Sequence, residues 1–497
     1  MNGWILFFYA LFCANFLIME QDDFWKDDPE LLDIINQYQN LRAGKSFKFL
    51  DAEAYERIID YYDDIDEMQH ALEAVITALE YFPYNPELLI KKADVLIYKR
   101  RYLEALQILD DVAAIDANNI DIYILKTEAY LALDRQAEAA SLLEESLCLF
   151  EDSERIDLLF ELADVYDDYE DFNNVFNCLQ LILKEDSTNE EALYKICFWT
   201  DFTGRYDESI ALYQDIINLH PYNELAWFNL ANAYQSLKLF EKAIDTYKYC
   251  IAIDEKFEFA YRNMGDALIR LNKYRDAIEI LEKLSEISRP DEILYEAIGY
   301  CYYKINNYAQ ARFNYRKASH INQHDSRLHY KIALTYMQED KYVPAIQQLE
   351  ISLRIHNGEA EYHIALGECL LQQNRQKEAF QHLGHAVRIK PKKISGWESL
   401  IKALYYADQF QEALKQCQAA LIATSNKAIF HYYHGACSFA AGKQKEGLIS
   451  LEIGLKTQPQ MVKKFFELNP QLFKYPLVVD LVARYKKLKK LRKPKAK

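Results

Sequence analysis

The stretch ELAWFNLANAYQSLKLFEKAIDTYKYCIAIDEKF, residues 224–257, decides the fold, because its pattern of small and aromatic residues returns every 34 residues. The same frame continues to residue 461 without insertion and extends back to residue 52 with one slip of two residues near Glu154 and Arg155. About twelve repeats of this length indicate a solenoid, in which each unit buries its apolar face against its neighbours. The units begin at Ala52, Pro86, Ile120, Ile156, Glu190, Glu224, Glu258, Glu292, Ser326, Ala360, Ile394 and Ala428.

Each position of the unit carries one type of side chain. Position 20 is Ala in nine units, position 8 is Ala or Gly in most units, and positions 11 and 17 are often aromatic. Two antiparallel helices pack closely only where a small residue lies at their crossing, and large rings fill the space on either side. The pattern therefore predicts a pair of antiparallel helices in every unit, with the first helix beginning at position 1.

These residues resemble the tetratricopeptide repeat (TPR) family, whose signature places Trp, Leu, Gly and Tyr before Ala, Phe, Ala and Pro at this spacing. Trp227, Leu230, Ala231 and Tyr234, followed by Ala243, form the best single match, and the resemblance covers about four fifths of the chain. It implies an all-α fold, a right-handed TPR solenoid of about twelve helix-turn-helix repeats with a C-terminal capping helix. It also implies a protein-interaction scaffold or adaptor rather than an enzyme.

The repeats define the expected domain organisation. Residues 52–461 form the twelve units, residues 462–485 are expected to be capping helices, and residues 486–497 form a basic tail. Residues 19–51 are an acidic leader with an N-terminal helix, and residues 1–18 are apolar without a basic flank. That first segment is either a membrane anchor or signal, or it precedes a start at Met19. The ends are too short for a separate catalytic domain.

Catalytic and cofactor motifs are weak in this sequence. Ala43-Gly44-Lys45-Ser46 resembles a phosphate loop, but Gln39 occupies the place of the required Gly. Six of the nine cysteines fall at packing positions and are interpreted as small hydrophobic residues, which favours a reducing compartment and a cytoplasmic location. His329, His363 and His431 all occupy position 4 of their units and are interpreted as replacements for a packing ring. We expect no cofactor and no metal.

Charge is distributed unequally along the chain. Residues 1–250 contain 50 acidic and 19 basic side chains, whereas residues 251–497 contain 26 acidic and 39 basic ones. This asymmetry is expected to steer partners of opposite sign to opposite ends. It also raises the hypothesis of salt-dependent head-to-tail self-association.

The resemblance implies that positions 2, 5, 9, 12 and 13 of the first helices line a concave groove. In the first half these positions carry many carboxylates with rings between them, and farther on they keep rings such as Tyr432 and Phe439. The predicted ligand is a peptide or helix with basic residues, because carboxylates select its sign and rings offer cation–π contacts. The alternative is an acidic face that only keeps the solenoid soluble. The predicted peptide-binding residues are Asp94, Glu128, Phe160, Asp164, Asp167, Asp168, Tyr194, Phe198, Asp201, Phe228, Asn229, Asn232, Arg262, Asn263, Tyr300 and Tyr303.

Other groove ligands fit less well. Asn232 and Asn263 match two positions of the TPR clamp for a C-terminal carboxylate, but Phe228, Ile293 and Ala297 replace its cations. Nucleic acid in the groove is disfavoured because the acidic half repels phosphate. The runner-up function is a membrane-tethered assembly factor of an envelope, secretion or glycan system, anchored through residues 1–18, and the basic tail is a second possible membrane contact.

Overall fold

A computed structural model describes residues 29–43, 45 and 49–492, with side chains described to residue 485. The apolar segment 1–18, the leader up to residue 28 and the last residues of the basic tail lie outside the described residues. Throughout the described part the regular structure is helical and contains no strand. The predicted all-α fold is therefore confirmed.

The helices follow one another as α1 (Pro29–Arg42), α2 (Ala52–Asp64), α3 (Met68–Tyr81), α4 (Pro86–Tyr98), α5 (Tyr102–Ala113), α6 (Ile120–Ala132), α7 (Gln136–Ser146), α8 (Asp152–Asp168), α9 (Phe172–Glu185), α10 (Glu190–Thr203), α11 (Tyr206–Leu219), α12 (Glu224–Ser236), α13 (Phe240–Ile253), α14 (Glu258–Arg270), α15 (Tyr274–Ile287), α16 (Glu292–Lys304), α17 (Tyr308–Ile321), α18 (Ser326–Met337), α19 (Tyr342–Ile355), α20 (Ala360–Gln372), α21 (Gln376–Ile389), α22 (Ile394–Tyr406), α23 (Phe410–Ala423), α24 (Ala428–Ala440), α25 (Gln444–Thr457), α26 (Val462–Leu468) and α27 (Pro476–Arg492). The even-numbered helices from α2 to α24 are the first, or A, helices of the twelve repeats. The odd-numbered helices from α3 to α25 are the second, or B, helices.

The helix boundaries follow the sequence frame closely. Eleven A helices begin at position 1, and all twelve B helices begin at position 17, where the aromatic residue recurs. The exception is α8, which begins at Asp152 and has 17 residues, so the two-residue slip is absorbed as an extra turn at its start. The predicted count of about twelve repeats is confirmed.

The A helices and the B helices begin with different local structures. Seven A helices follow an Asn or Asp whose side-chain oxygen accepts a hydrogen bond from a backbone N–H of the first turn, as Asn223 does from Ala226 at 2.9 Å. Such a cap satisfies a donor that has no partner inside the helix. Most B helices have no side-chain cap, and all twelve follow a residue in the left-handed conformation at position 15. This residue reverses the chain within a short turn.

The core confirms the packing argument. All nine Ala residues at position 20 are completely buried. In repeat 8, a Cβ added to Gly299 at position 8 would lie 2.7 Å from the ring of Tyr315, so the two backbones approach as closely as their side chains permit. The small residues therefore set the distance between the A and B helices.

The described residues fall into two compact units, unit 1 up to Ala260 and unit 2 from Tyr261, with the boundary inside α14. Within the first unit, helix α2 contacts α4, α4 contacts α6, α6 contacts α8, and α10 contacts α12. These A helices lie side by side, and we call the surface they share the A-helix face of unit 1.

The second unit ends in a cap that covers its last two repeats. Phe465 of α26 is completely buried and lies with its ring centroid 6.1 Å from that of Phe439. Glu398 on α22 accepts a hydrogen bond from Lys464 at 2.9 Å. Tyr432 is fully buried and donates to the carbonyl of Gln458 at 2.9 Å. The groove rings expected at Tyr432 and Phe439 are thus packed against the chain's own C-terminal segment, because a solenoid must cover its terminal repeat.

Candidate functional site

Twelve of the sixteen predicted groove residues lie on the A helices of unit 1. Eleven of them occupy position 5, 9, 12 or 13, from which the groove was predicted, and Asn229 occupies position 6. They are Asp94 on α4, Glu128 on α6, Phe160, Asp164, Asp167 and Asp168 on α8, Tyr194, Phe198 and Asp201 on α10, and Phe228, Asn229 and Asn232 on α12.

Carboxylates dominate the part of this face that α2, α4 and α6 form. Asp94 is half-buried, and burial followed by the nearby charge of Asp63 raises its pKa to about 6, with Glu128 and Asp121 adding to the effect. Asp94 has no ion-pair partner within 4 Å among the described residues, although Lys91 nearby binds Asp60 at 2.5 Å. A raised pKa means that the local environment disfavours the negative charge and that a bound cation would stabilise it.

One intramolecular cation shows how this face holds an ammonium group. Lys195, on α10, places its Nζ 2.8 Å from Glu191 and 3.8 Å from Asp164. The same Nζ lies 4.9 Å from the ring centroid of Phe160 on α8. Two carboxylates and one aromatic face thus surround a single ammonium group, which is the arrangement that the sequence predicted for a ligand.

The end of α8 carries three predicted acidic residues that are exposed. Partial desolvation raises the pKa of Asp167, and the charges of Asp164 and Asp168 raise it further. Asp164 likewise has its pKa raised by desolvation, against the lowering effect of Lys195. No described cation within 4 Å pairs with Asp167 or Asp168. The end of the helix therefore presents an uncompensated negative charge.

An aromatic cluster lies next to these acids on α10. The rings of Phe198 and Phe202 are stacked with centroids 6.0 Å apart, and Phe198 also contacts Trp199 edge to face at 5.0 Å. Trp199 is buried, whereas Phe202 is 57% exposed. Asp201 accepts a hydrogen bond from Ser236 at 2.8 Å, and burial raises its pKa. The face thus offers an open ring beside fixed carboxylates.

Residues predicted on α12 instead hold the repeats together. Asn229 is buried, and its Nδ2 donates to the carbonyl of Leu193 on α10 at 2.7 Å. Asn232 accepts a hydrogen bond from Tyr247 at 2.6 Å, and Phe228 packs edge to face on Phe257 at 5.1 Å. Tyr194 is half-buried, and its pKa is raised by burial. The polar groups of the two Asn residues are committed inside the protein.

The other four predicted residues belong to unit 2. Arg262 forms an ion pair with Asp291 at 3.1 Å, and Asn263 is half-buried. The ring centroids of Tyr300 and Tyr274 are 6.1 Å apart, and the Nζ of Lys304 lies 5.2 Å from the centroid of the Tyr300 ring. Tyr303 packs edge to face on Tyr308 at 5.6 Å. Their surroundings are less acidic than those of the unit 1 residues.

Sequence reasoning missed Lys195 and Glu161, which both occupy position 6. Glu161 is half-buried, and burial followed by the charge of Asp164 raises its pKa. At position 6, only Asn229 and Asn263 were included among the predicted groove residues. A search for charged residues at that position would have found both side chains.

Other kinds of site find little support in the described residues. No group of three His, Cys, Asp or Glu side chains there has a geometry that could hold a metal ion. Among the described helices, none combines the length and the apolar character needed to cross a membrane.

A model of a known family matches part of this chain. Residues 206–364 match the model of the tetratricopeptide repeat protein 21 C-terminal ARM domain, a segment that includes the helices from α11 to α19. The chain is a TPR-like repeat protein. No curated protein sequence matches it.

Several solved TPR structures resemble this TPR-like protein in part. YrrB, described as a TPR protein with an unusual peptide-binding site, is 18% identical, with a TM-score of 0.34, over 37% of this chain and 95% of YrrB. The Cut9–Hcn1 hetero-tetramer of the APC/C gives 16% identity and a TM-score of 0.32 over 91% of this chain and 98% of the other. Yeast Tom70 gives 13% identity and a TM-score of 0.36 over 89% and 97%.

Proposed function

We propose that this TPR-like protein is a non-enzymatic scaffold whose A-helix face in unit 1 binds a peptide or helix rich in Lys or Arg. The observation that carries the proposal is Lys195, whose ammonium group is held by Glu191, Asp164 and the ring of Phe160. Asp167, Asp168, Asp201 and the exposed ring of Phe202 repeat the same combination beside it.

Electrostatics supports this choice of partner. Asp94, Asp164, Asp167 and Asp201 all have raised pKa values because partial desolvation and, for most of them, neighbouring carboxylates disfavour their charge. A cationic ligand would relieve this repulsion, whereas an anionic ligand would increase it. Binding should therefore weaken at high salt and below about pH 6, where Asp94 takes up a proton.

A second copy of the chain is one possible source of the basic segment. Residues 486–497 contain eight basic and no acidic side chains. Sedimentation at low and high salt of the full chain tests this source, and a monomer under both conditions would exclude it.

The binding face is tested with four isosteric substitutions, Asp164→Asn, Asp167→Asn, Asp168→Asn and Asp201→Asn. A fluorescent 14-residue peptide of Ala, Lys and Arg serves as the probe, and an Ala–Glu peptide of equal length serves as the anionic reference. Since an exposed ion pair contributes about 0.3–0.5 kcal/mol, loss of four should weaken binding about tenfold.

The matched control changes the same total charge on the B helices. Asp111→Asn, Glu145→Gln, Asp215→Asn and Glu241→Gln all alter exposed side chains of unit 1. If both quadruple variants lost affinity equally, only net charge would matter, and the proposed face would be wrong. Circular dichroism of both variants verifies that the helices remain folded.

A further inference from the structure

Three histidines meet inside repeat 10 of unit 2. His363 on α20 is 8% exposed, and its Nδ1 lies 3.0 Å from Nδ1 of His382 on α21. The ring centroid of His363 is 5.3 Å from that of His382 and 5.6 Å from that of His385, with interplanar angles of 26° and 19°. The ring of His363 is therefore nearly parallel to those of His382 and His385, of which His385 is exposed.

The hydrogen bonds of His363 define the protonation state that this packing accepts. Its Nε2 lies 3.3 Å from the carbonyl oxygen of Asn357, and a carbonyl can only accept, so Nε2 carries the hydrogen. In the neutral ring Nδ1 must then be the acceptor, and His382 donates to it. While both rings are neutral, the contact between the two Nδ1 atoms has one donor and one acceptor. One additional proton can be added to the pair without changing this contact. A second added proton would place two N–H groups against each other.

The groups around the cluster compensate for added charge only weakly. On α21, Glu378 faces His382 but is bound by Arg375 through hydrogen bonds of 2.8 Å and 2.6 Å. On α19, Glu350 and Arg354 line an open cavity of about 370 Å³ together with His382, at the edge of the cluster. Glu359 lies in the loop before α20, and Glu361 lies in the first turn of that helix. Both carboxylates already accept hydrogen bonds from Lys390, at 2.5 Å and 3.2 Å.

The other histidines at position 4 have neutral partners instead. His329 lies 3.0 Å from the side-chain oxygen of Gln348, and His431 lies 2.9 Å from that of Asn426. Protonation would turn each of these contacts into a charged hydrogen bond, although a charge on His431 would also act on His434 nearby. Of the three repeats, repeat 10 is the one in which the position-4 histidine contacts the ring nitrogen of another histidine directly.

We propose that the cluster of His363, His382 and His385 makes repeat 10 a proton-operated switch, packed at neutral pH and opened in mild acid by separation of α20 from α21. Repeats of a solenoid are stabilised through their neighbours, so an open repeat interrupts the stack locally. This regulation goes beyond the proposed peptide site, since it concerns unit 2 and does not require that site.

The pH range in which repeat 10 should open follows from the direction in which the pKa values of His363 and His382 are shifted. Burial lowers the pKa of His363, and the neighbouring His382 lowers it further; burial and then His385 lower the pKa of His382. The unfolded chain therefore binds these protons first. The stabilising contribution is complete above the ordinary histidine pKa of about 6.5 and is lost as the pH falls below it.

Hydrogen–deuterium exchange of the full chain tests the switch. Protection factors, corrected for the intrinsic pH dependence of exchange, are compared at pH 7.5 and pH 5.5. We expect protection of residues 356–389 to fall at least about tenfold at pH 5.5, the equivalent of one pKa unit. Unchanged protection in this segment would overturn the proposal.

A double variant separates titration from packing. His363→Tyr restores the kind of ring that Tyr55 and Tyr123 supply at position 4, and His382→Gln keeps a hydrogen-bonding side chain. Its protection in residues 356–389 should be independent of pH, whereas the control His320→Gln, an exposed histidine of α17, should behave as the parent protein. If the double variant still opened at pH 5.5, the histidine cluster would not be the cause. If the double variant folds poorly, His382→Gln alone can be used, because it also removes the pair of imidazoles. In this single variant, residues 356–389 should lose less protection at pH 5.5 than in the parent protein.

Discussion

At the scale of single residues, Lys126 tests how far an apolar position tolerates charge. It occupies position 7 of repeat 3, which is apolar in most repeats. The stem of the lysine is packed inside, since its side chain is 8% exposed, while its Nζ binds Asp110, an exposed residue of α5, at 2.7 Å. The ion pair thus compensates for the burial of the lysine rather than adding to the core.

Removal of one partner should therefore cost more than replacement of the lysine itself. Asp110→Asn leaves the ammonium group without its counter-ion and is expected to lower the free energy of unfolding by about 1 kcal/mol. Lys126→Met keeps the packed stem without the charge, and its effect is expected to stay within about 0.5 kcal/mol. Urea denaturation monitored by tryptophan fluorescence measures both. A larger loss for Lys126→Met than for Asp110→Asn would contradict this reasoning.

The residues that could be predicted from the sequence are those whose role depends on packing. Ala243 and its equivalents were identified because every repeat imposes the same helix crossing, so the same residue recurs in nine of the twelve units. Asn229 was predicted as a ligand contact, and its hydrogen bond to Leu193 could not be foreseen, because a buried amide and an exposed one look alike in sequence. Lys195 was missed because its role depends on Phe160 and Asp164 in the neighbouring repeat.

At the scale of helices and turns, position 15 was overlooked in the sequence. All twelve repeats have a left-handed residue there: Asp66, Arg100, Asp134, Glu170, Gly204, Lys238, Asn272, Asn306, Asp340, Asn374, Asp408 and Gly442. Most are Asp, Asn or Gly, which adopt this conformation at low cost, so the composition of the position was the available signal. Arg100, Glu170 and Lys238 have no such advantage.

Substitution at this position should change stability in opposite directions. Lys238→Gly, at φ 62°, is expected to raise the free energy of unfolding by about 0.5–1 kcal/mol because it relieves backbone strain. Gly204→Ala, at φ 73°, is expected to lower it by about 1 kcal/mol, although no atom would obstruct the added Cβ. Asn374→Gly is the control and should have little effect, since Asn tolerates this conformation. Equal effects of the Lys238 and Asn374 variants in urea denaturation would show that strain at position 15 is negligible.

At the scale of the whole molecule, the two units should respond to acid in opposite ways. Asp94 has a folded-state pKa of about 6, above the ordinary value of 3.8, so the folded state binds its proton more tightly than the unfolded chain does. The contribution of Asp94 therefore grows as the pH falls from about 7 towards 4, whereas the contribution of His363 and His382 in unit 2 declines below about pH 6.5. Both effects are local because each repeat is stabilised by its neighbours.

Hydrogen exchange resolved by segment can separate these two responses in one experiment. From pH 7.5 to pH 5.5, the corrected protection of residues 86–98 should rise while that of residues 356–389 falls. Asp94→Asn removes the titrating carboxyl, so protection of residues 86–98 should be higher at pH 7.5 and nearly independent of pH. Asp111→Asn, which changes an exposed carboxyl on α5, should leave the rise intact. If both segments lost protection together in the parent protein, overall charge rather than these two clusters would control the response to acid.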